Sequence, residues 1–187
     1  KATALSGLGI SFGAGMINVA LVHKGMMIRS FSLPFGGDFI DEAAAKNTNS
    51  SVAQVTELKE EGVDVSKSVV IKEQEYHDAL TQRQVDAIAM TYRELLEKLR
   101  DALQEFFSRP ENRVGDPKTT LPVFVSGGTS RAQGFLDLFD EIILGSLDQR
   151  WASRFPLAAN ATHAKDPLNA VALGALIFAR MRTPRLT

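Results

Sequence analysis

The stretch Ile10-Ser11-Phe12-Gly13-Ala14-Gly15 decides the fold together with a later one, Val123-Phe124-Val125-Ser126-Gly127-Gly128-Thr129-Ser130. In both, a short apolar strand ends in a glycine-rich turn. Because glycine has no Cβ, the backbone at such a turn can approach a phosphate or a sugar and point its N–H groups at it. Either turn alone also suits an ordinary hairpin or a strand-to-helix connection. Occurring in this order, the two turns predict a ligand site built largely from backbone.

The segments around these turns alternate between strand and helix patterns. Three strands form an antiparallel meander, since His23-Lys24-Gly25 is a turn and polar residues alternate with apolar ones in the third strand. Gly36-Gly37-Asp38 then opens a helix with Asp38 as its predicted cap, and Asp166 caps the closing helix. The strands are predicted at 8–12, 17–22, 26–34, 68–72, 121–125 and 155–159. The helices are predicted from 36, at 52–61, at 76–107 with a break near 80–81, at 134–144 and at 166–180, with an exposed connection at 109–120.

Composition limits the class of protein. With 187 residues, 44% of them hydrophobic and 23% charged, the chain is predicted to form a single α/β domain over 1–187. A formal net charge of −1 provides no broad basic field for nucleic acid or an anionic membrane. No apolar run reaches the roughly 18 residues of a membrane span, and there is no secretory signal or cysteine, so a cytoplasmic location is expected. The start at Lys1 predicts that a longer protein continues upstream.

Several familiar sites are excluded by spacing or context. Gly7-x-Gly9 and Gly13-x-Gly15 lead into a strand, whereas the dinucleotide fingerprint leads into a helix, and no Gly-Lys-Ser/Thr phosphate loop is present. Residues 9–13 fit the letters of the hydrolase elbow but are also followed by a strand. The three histidines lack the spacing of metal ligands, so no metal site formed by protein side chains is predicted.

Taken in order, the segments resemble the second half of the ATPase core shared by actin, the heat-shock chaperone ATPases and the sugar kinases. Residues 10–22 resemble the second phosphate loop, and Gly36–Asp41 is similar to the Gly-Gly-Asp helix start of that superfamily. Residues 52–62, with Glu57, Lys59 and Glu60, resemble its nucleoside-proximal helix. Residues 125–135 resemble its adenosine motif, and 166–175 its final helix. The Gly-Gly-Asp and Glu-Leu-Lys stretches are most similar to the bacterial actin homologues of cell shape, division and pilus assembly.

The resemblance implies a ribonuclease-H-like, actin-type half that binds ATP and Mg²⁺ in a cleft. The other half of that core is expected upstream in the same protein, and self-assembly or a protein partner is expected as well. The fold would contain a mixed sheet with an antiparallel meander and flanking helices. The residues that the resemblance assigns to the nucleotide are Gly13, Ala14, Gly15, Gly36, Gly37, Asp38, Lys59, Glu60, Ser126, Gly127, Gly128 and Thr129.

Departures from the superfamily pattern bear on catalysis. Ser11 stands where that pattern has an aspartate that organises the metal and its water, and Met16 and Ile17 replace threonines that meet phosphate. A serine cannot supply that negative charge, so no catalytic residue is assigned, while ATP hydrolysis by the complete protein stays open. Three functions stay open: a nucleotide-binding half with a cytoskeletal, division or assembly role, a catalytically silent scaffold or docking domain, and half of a sugar or small-acid kinase.

Overall fold

The computed structural model describes residues 6–70, 78–112, 120–146 and 157–170. Within these ranges the predicted elements occur in their predicted order, with an additional short strand at Val63–Asp64 that the sequence pattern did not predict. The strands are β1 (Gly7–Phe12), β2 (Ile17–His23), β3 (Met26–Leu33), β4 (Val63–Asp64), β5 (Val69–Val70), β6 (Leu121–Ser126) and β7 (Leu157–His163). The helices are α1 (Gly37–Thr48), α2 (Val52–Gly62), α3 (Ala79–Ser108) and α4 (Phe135–Phe139), and short helical turns occupy Pro110–Asn112, Gly128–Arg131 and Asp140–Leu144.

Five strands form one mixed sheet in the order β3-β2-β1-β6-β7. The pairs β1–β2 and β2–β3 are antiparallel, as the meander predicts, whereas β6 is parallel to both β1 and β7. The β1–β6 register aligns Ser11 with Ser126. Because parallel strands end at the same edge of a sheet, this pairing places both glycine turns side by side, at the edge where open α/β sheets bind ligands.

The core lies on one face of the sheet and is closed by α1 and α3. Leu8, Ile10 and Phe12 of β1 point into it, while Gly9 and Ser11 line the opposite face, as the period-two geometry of a strand requires. The inner face of the 30-residue α3 supplies the other side of the core. Its fully or almost fully buried apolar residues are Val85, Ile88, Tyr92, Leu95, Leu96, Leu99, Leu103 and Phe107.

Helix starts differ from the sequence prediction in two places. Gly36 is the cap of α1, and Asp38 lies in the first turn without a side-chain capping bond, so its prediction as a cap was wrong. In α3 the Asp78 carboxylate accepts from the Thr81 amide over 2.7 Å, and the helix runs unbroken from Ala79, without the break predicted at 80–81. The part of that prediction before residue 78 lies outside the described residues.

The C-terminal third follows the predicted pattern where it is described. The helix predicted at 134–144 consists of α4 and the wider turn Asp140–Leu144, and the last predicted strand extends to His163. Asp166 Oδ1 accepts from the Asn169 amide over 3.2 Å, but residues 167–169 form a turn, so the closing helix does not begin at 167 as predicted. Ala170 is helical, and the rest of the predicted helix lies outside the described residues. None of the helices in the described ranges is long and apolar enough to cross a membrane.

Candidate functional site

Three segments that are remote in sequence meet at the carboxyl ends of β1 and β6. The Thr129 hydroxyl of the second glycine turn donates to the Gly13 carbonyl of the first over 3.1 Å. The start of α1 joins them, because the Gly37 amide donates to Gly13 O over 3.0 Å and the Asp38 amide to Ala14 O over 2.9 Å. The two turns and the helix start therefore form one continuous wall.

Glycine is required at two points of this wall by packing alone. A Cβ on Gly36 would lie 2.3 Å from the Ala14 carbonyl oxygen, and one on Gly127 would lie 2.1 Å from that of Phe12. Gly127 also has a φ of +97°, in the region that residues with a side chain rarely adopt. Both glycines are needed for the turns to converge, whether or not a ligand binds.

A cavity of about 780 Å³ opens on this wall. That volume lies in the range of small-molecule sites. The nucleotide residues predicted from the sequence that line it are Ala14, Gly37, Asp38, Lys59, Glu60, Gly128 and Thr129. Gly13, Gly36 and Gly127 belong to the wall but do not line the cavity, and neither does Gly15, an exposed residue of the first turn.

Ser126, another residue predicted to contact the nucleotide, does not line this cavity. It lines a separate groove of about 450 Å³ on the opposite face of the sheet, together with its register partner Ser11. Val125 is buried in the core, and the next residue along a strand must point the other way. The structure therefore does not bring Ser126 together with the other predicted nucleotide residues.

Unpaired backbone donors occur at the first turn. The Gly13 amide is used within the hairpin, where it donates to Met16 O over 2.9 Å. By contrast, the amides of Ala14 and Gly15, both exposed residues, meet no acceptor in the part of the chain that the structure describes. These two N–H groups are donors that an anion at the turn can use.

A nearly buried ion pair also lines the cavity. Lys59 Nζ lies 2.6 Å from Asp41 Oδ1 and donates to Oδ2 over 2.8 Å, while the Thr56 hydroxyl donates to Oδ2 over 3.0 Å. The contact with Oδ1 is an ion-pair contact without hydrogen-bond alignment. The side chains of Lys59 and Asp41 are only 14% and 10% exposed. The charge of the predicted ligand residue Lys59 is therefore already balanced within the protein.

Tyr92 connects α3 to the second glycine turn. Its hydroxyl donates to the Thr129 carbonyl over 3.2 Å, and the ring is buried against Phe135. Burial, with a smaller contribution from Asp41, raises the pKa of the phenol, so Tyr92 stays neutral and keeps its proton for this hydrogen bond. The sequence marked Tyr92 as a residue of the apolar helix face, and nothing in the local pattern pointed to the cavity.

The rim of the cavity is exposed and carries mixed charge. Glu60, Arg131, Gln133 and Leu168 lie around the opening, and Asp38 lies beside the first turn. Since Lys59 is paired with Asp41, the remaining charges of the lining are two carboxylates and one guanidinium. Backbone amides, rather than an excess of cationic side chains, are thus the main anion donors. No group of three or more His, Cys, Asp or Glu residues suited to a metal ion occurs within the described ranges.

Comparison with known proteins identifies the fold. The family model described as Volactin matches residues 1–179. Among solved structures, the ethanolamine utilization protein EutJ from Carboxydothermus hydrogenoformans matches with a TM-score of 0.60 and 20% identity, over 92% of this chain and 49% of that one. The PilM-PilN type IV pilus biogenesis complex matches with a TM-score of 0.60 and 19% identity, over 97% of this chain and 47% of that one. MreB 5 of Spiroplasma citri bound to AMPPNP matches with a TM-score of 0.58 and 18% identity, over 95% of this chain and 54% of that one.

These neighbours confirm the predicted actin-like ATPase fold. At such low identity the likeness extends to the fold alone. The chain spans about half the length of these structures. No curated protein sequence matches it.

Proposed function

This chain belongs to the Volactin family, and from that premise we propose that it is the nucleotide-binding half of an actin-like ATPase with a cytoskeletal, cell-division or assembly role. One observation carries the proposal: the two glycine turns are joined by the Thr129–Gly13 hydrogen bond at the wall of a cavity of nucleotide size. The triphosphate would meet the unpaired amides of Ala14 and Gly15. The nucleoside would lie between Lys59 and Glu60 on one side and Gly128 and Thr129 on the other.

ATP is the nucleotide that the comparisons favour. The related structures of MreB 5 and MamK are bound to AMPPNP, and that of the activator of 2-hydroxyisocaproyl-CoA dehydratase is bound to ADPNP. Mg²⁺ fits less well, because the described residues provide no ligand cluster for it. The phosphates of the nucleotide itself would therefore hold the metal.

The other half of the core is proposed to lie elsewhere in the natural protein and to close over the cavity. Residues 1–187 then form a single unit of that protein. Closure of the two halves over the nucleotide is proposed to control binding of a protein partner or of further copies of the protein. PilM, which has a similar fold, occurs in a complex with PilN. The exposed rim of the cavity is consistent with a second half covering it.

Calorimetric titration of the full-length protein with ATP and Mg²⁺ tests the proposal. Gly15→Asp adds a carboxylate at the tip of the first turn, where a Cβ has room, and should weaken ATP binding at least about tenfold by charge repulsion. Ala53→Asp makes the same charge change at an exposed site on α2 away from the cavity and should leave binding unchanged. Absence of ATP binding to the unsubstituted protein would overturn the proposal.

A catalytically silent scaffold is the second candidate. It is favoured by Ser11, by the internal neutralisation of Lys59, and by the packing requirement for Gly36 and Gly127, which would keep those glycines without any ligand. If the protein does not bind a nucleotide, the scaffold is the candidate function that remains. ADP release that depends on an added metabolite would instead support half of a sugar or small-acid kinase.

A further inference from the structure

We propose that the free edge of β3 is a docking site for an extended acidic segment of a partner protein, which adds to the five-stranded sheet as a further strand. In this mode of recognition, backbone hydrogen bonds supply the affinity and alternate side chains supply the specificity. Among the described strands, β3 ends the sheet and pairs only with β2. The inference does not depend on nucleotide binding, because none of the residues that carry it lines the nucleotide cavity.

The register of the meander shows how the backbone of β3 is oriented. Opposed residues of an antiparallel pair alternate between pairs that exchange hydrogen bonds and pairs that do not. The Gly13 amide donates to Met16 O across the first turn, so by alternation Asn18 bonds to β1 and Val19 bonds to β3. The partner of Val19 in that register is Phe31. The peptide groups of Phe31 are therefore directed at β2.

Ser30 and Ser32 have the free backbone groups. They flank Phe31 in the strand, so their amides and carbonyls are directed away from β2. No hydrogen-bond partner for these groups occurs within the described ranges, and both residues are exposed. A row of unpaired N–H and C=O groups at a sheet edge is a template for a further strand.

The side chains that an added strand would meet are one cation and two apolar groups. Arg29, Phe31 and Leu33 alternate along β3, opposite buried residues of β2, on the face of the sheet that carries the core. Phe31 packs on Phe106 with ring centroids 4.9 Å apart, yet Phe31 and Leu33 are only partly buried. Apolar side chains on the added strand would cover both of them and remove apolar surface from water.

The charge of this edge selects an acidic segment. Residues 1–37 contain no aspartate or glutamate, so the region around β3 has no carboxylate of its own. The exposed Arg29 donates to the Ile28 carbonyl over 3.3 Å, and no carboxylate in the described part of the chain forms an ion pair with it or with Lys24. A carboxylate beside Arg29 on the added strand would complete a cross-strand pair of opposite charge.

Other occupants fit this edge less well. A charged side chain and an irregular register protect an edge strand from pairing with copies of itself, and β3 has both, in Arg29 and in the register shift after Leu21. The β3 strand of a second copy would also bring no carboxylate to Arg29. Lys24 and Arg29 alone provide too little positive charge to hold an anionic membrane or nucleic acid at physiological salt.

Two synthetic peptides with blocked termini test the charge preference on the full-length protein. The sequence Glu-Thr-Val-Thr-Val-Thr-Glu reads the same in both directions, so it places valines beside Phe31 and Leu33 and a glutamate beside Arg29 in either orientation. Lys-Thr-Val-Thr-Val-Thr-Lys is the matched control. Calorimetry should show that the glutamate peptide binds at least about tenfold more tightly. Arg29→Glu should reverse the preference, whereas Arg83→Glu, at an exposed site on α3, should leave it unchanged.

Amide hydrogen exchange locates the contact. With the glutamate peptide at about ten times its Kd, exchange at Ser30 and Ser32 should slow roughly tenfold, while the Phe31 amide, which is directed at β2, should change little. Ser30→Pro removes one outward N–H group and should abolish binding. Ser30→Ala keeps that N–H group and should bind like the unsubstituted protein. Circular dichroism establishes that both variants are folded, and the Arg29→Glu result decides the question if the proline variant is not.

Three results would overturn the proposal: no binding of the glutamate peptide, binding that a folded Ser30→Pro variant retains, or a preference that Arg29→Glu does not reverse. Protection of the Ser30 and Ser32 amides by a higher protein concentration alone would overturn it in favour of pairing between copies. Protection by phosphatidylglycerol vesicles alone would overturn it in favour of a membrane surface. ATP titration of the same variants should give unchanged affinities, which separates this test from that of the proposed function.

Discussion

Asp41 and Lys59 join α1 to α2 through a buried ion pair with contacts of 2.6 and 2.8 Å at the wall of the cavity. The pair does two things at once: it neutralises Lys59, a cation that lines the cavity, and it links two helices. Thr56 adds a third contact to the same carboxylate. Removing either charge leaves the other nearly buried and unpaired, which is more costly than removing both.

Asp41→Asn is expected to lower the free energy of unfolding by about 3 kcal/mol, because Lys59 loses its counter-charge in a nearly buried position. The double variant Asp41→Asn, Lys59→Met should recover a large part of that loss. Urea unfolding of the two variants measures the difference. Equal destabilisation of the single and double variants would show that the charge of Lys59 finds another partner.

Thr129→Val keeps the shape of the side chain but removes the hydrogen bond to Gly13. We expect a loss of about 1 kcal/mol in unfolding free energy and weaker ATP binding, since the hydroxyl is what holds the two turns together. Thr162→Val serves as the control, because that exposed hydroxyl makes only a 3.5 Å contact with Val123 O. If the two variants bind ATP equally well, the Thr129 bond is not needed for the geometry of the cavity.

Alanine substitutions at the neighbouring glycines 127 and 128 should have very different effects on the free energy of unfolding. Gly127→Ala forces a Cβ onto the Phe12 backbone at a positive φ and is expected to cost more than about 3 kcal/mol or to prevent folding. Gly128→Ala places its Cβ at an ordinary van der Waals distance of 3.9 Å from Leu168 Cδ2, so we expect a change within about 0.5 kcal/mol. Thermal unfolding followed by circular dichroism distinguishes the two. Equal melting temperatures would contradict the packing of Gly127 on β1.

Asp64 should make folding sensitive to acid. Burial raises the pKa of its carboxyl, but hydrogen bonds from Ser66 and Lys67 outweigh that effect and hold the pKa below its usual value. A lowered folded-state pKa adds stability above the unfolded value of about 3.9, and this contribution is lost as the pH falls through the folded value. Melting temperatures between pH 5 and about 2.5 should therefore fall more steeply for the unsubstituted protein than for Asp64→Asn.

Asp140 should have the opposite effect on how the stability of the fold depends on pH. Burial raises the pKa of its carboxyl, aided by the charge of Asp137, although the Ala161 amide donates to it over 2.9 Å. A raised pKa favours the protonated folded form, so the contribution of Asp140 to stability decreases as the pH rises through the folded-state value. Asp140→Asn can still accept from Ala161 and should gain relative stability as the pH rises from about 3 to 7. A variant that is less stable at pH 7 than at pH 3, relative to the unsubstituted protein, would contradict this assignment.

Much of the fold was predictable because its signals are local. The meander follows from alternation in the third strand and from the glycine turn before it, and α3 from the regular spacing of its apolar residues. The cap of α1 was mispredicted, since the Gly37 and Asp38 amides at the helix start donate to the Gly13 and Ala14 carbonyls, contacts that the local pattern does not reveal. The start of α3 at Ala79 depends likewise on Asp78, whose capping role appears only with its hydrogen bond to the Thr81 amide.

The candidate site was predictable in part. The glycine turns and the start of α1 carry recognisable motifs, and the structure brings them together. Asp41 was visible within the Gly-Gly-Asp-Phe-Ile-Asp stretch but was not identified as the partner of Lys59, because an ion pair between two helices depends on how they pack. Tyr92 and Leu168 had no local signal for the site, one being a core position of a long helix and the other a turn residue.

By itself, the sequence determined which segments are strands, helices and glycine turns, and in what order, because those states depend on neighbours a few residues apart. Tertiary structure decided which face and which cavity each side chain meets. Ser126 and Thr129 are three residues apart, yet Ser126 lines the groove on the opposite face of the sheet and Thr129 lines the cavity. Ser126 follows the alternation of side chains along β6, whereas the chain changes direction at Gly127, which has a positive φ, before it reaches Thr129. The site exists because parallel pairing of β1 with β6 brings two distant turns to one edge of the sheet.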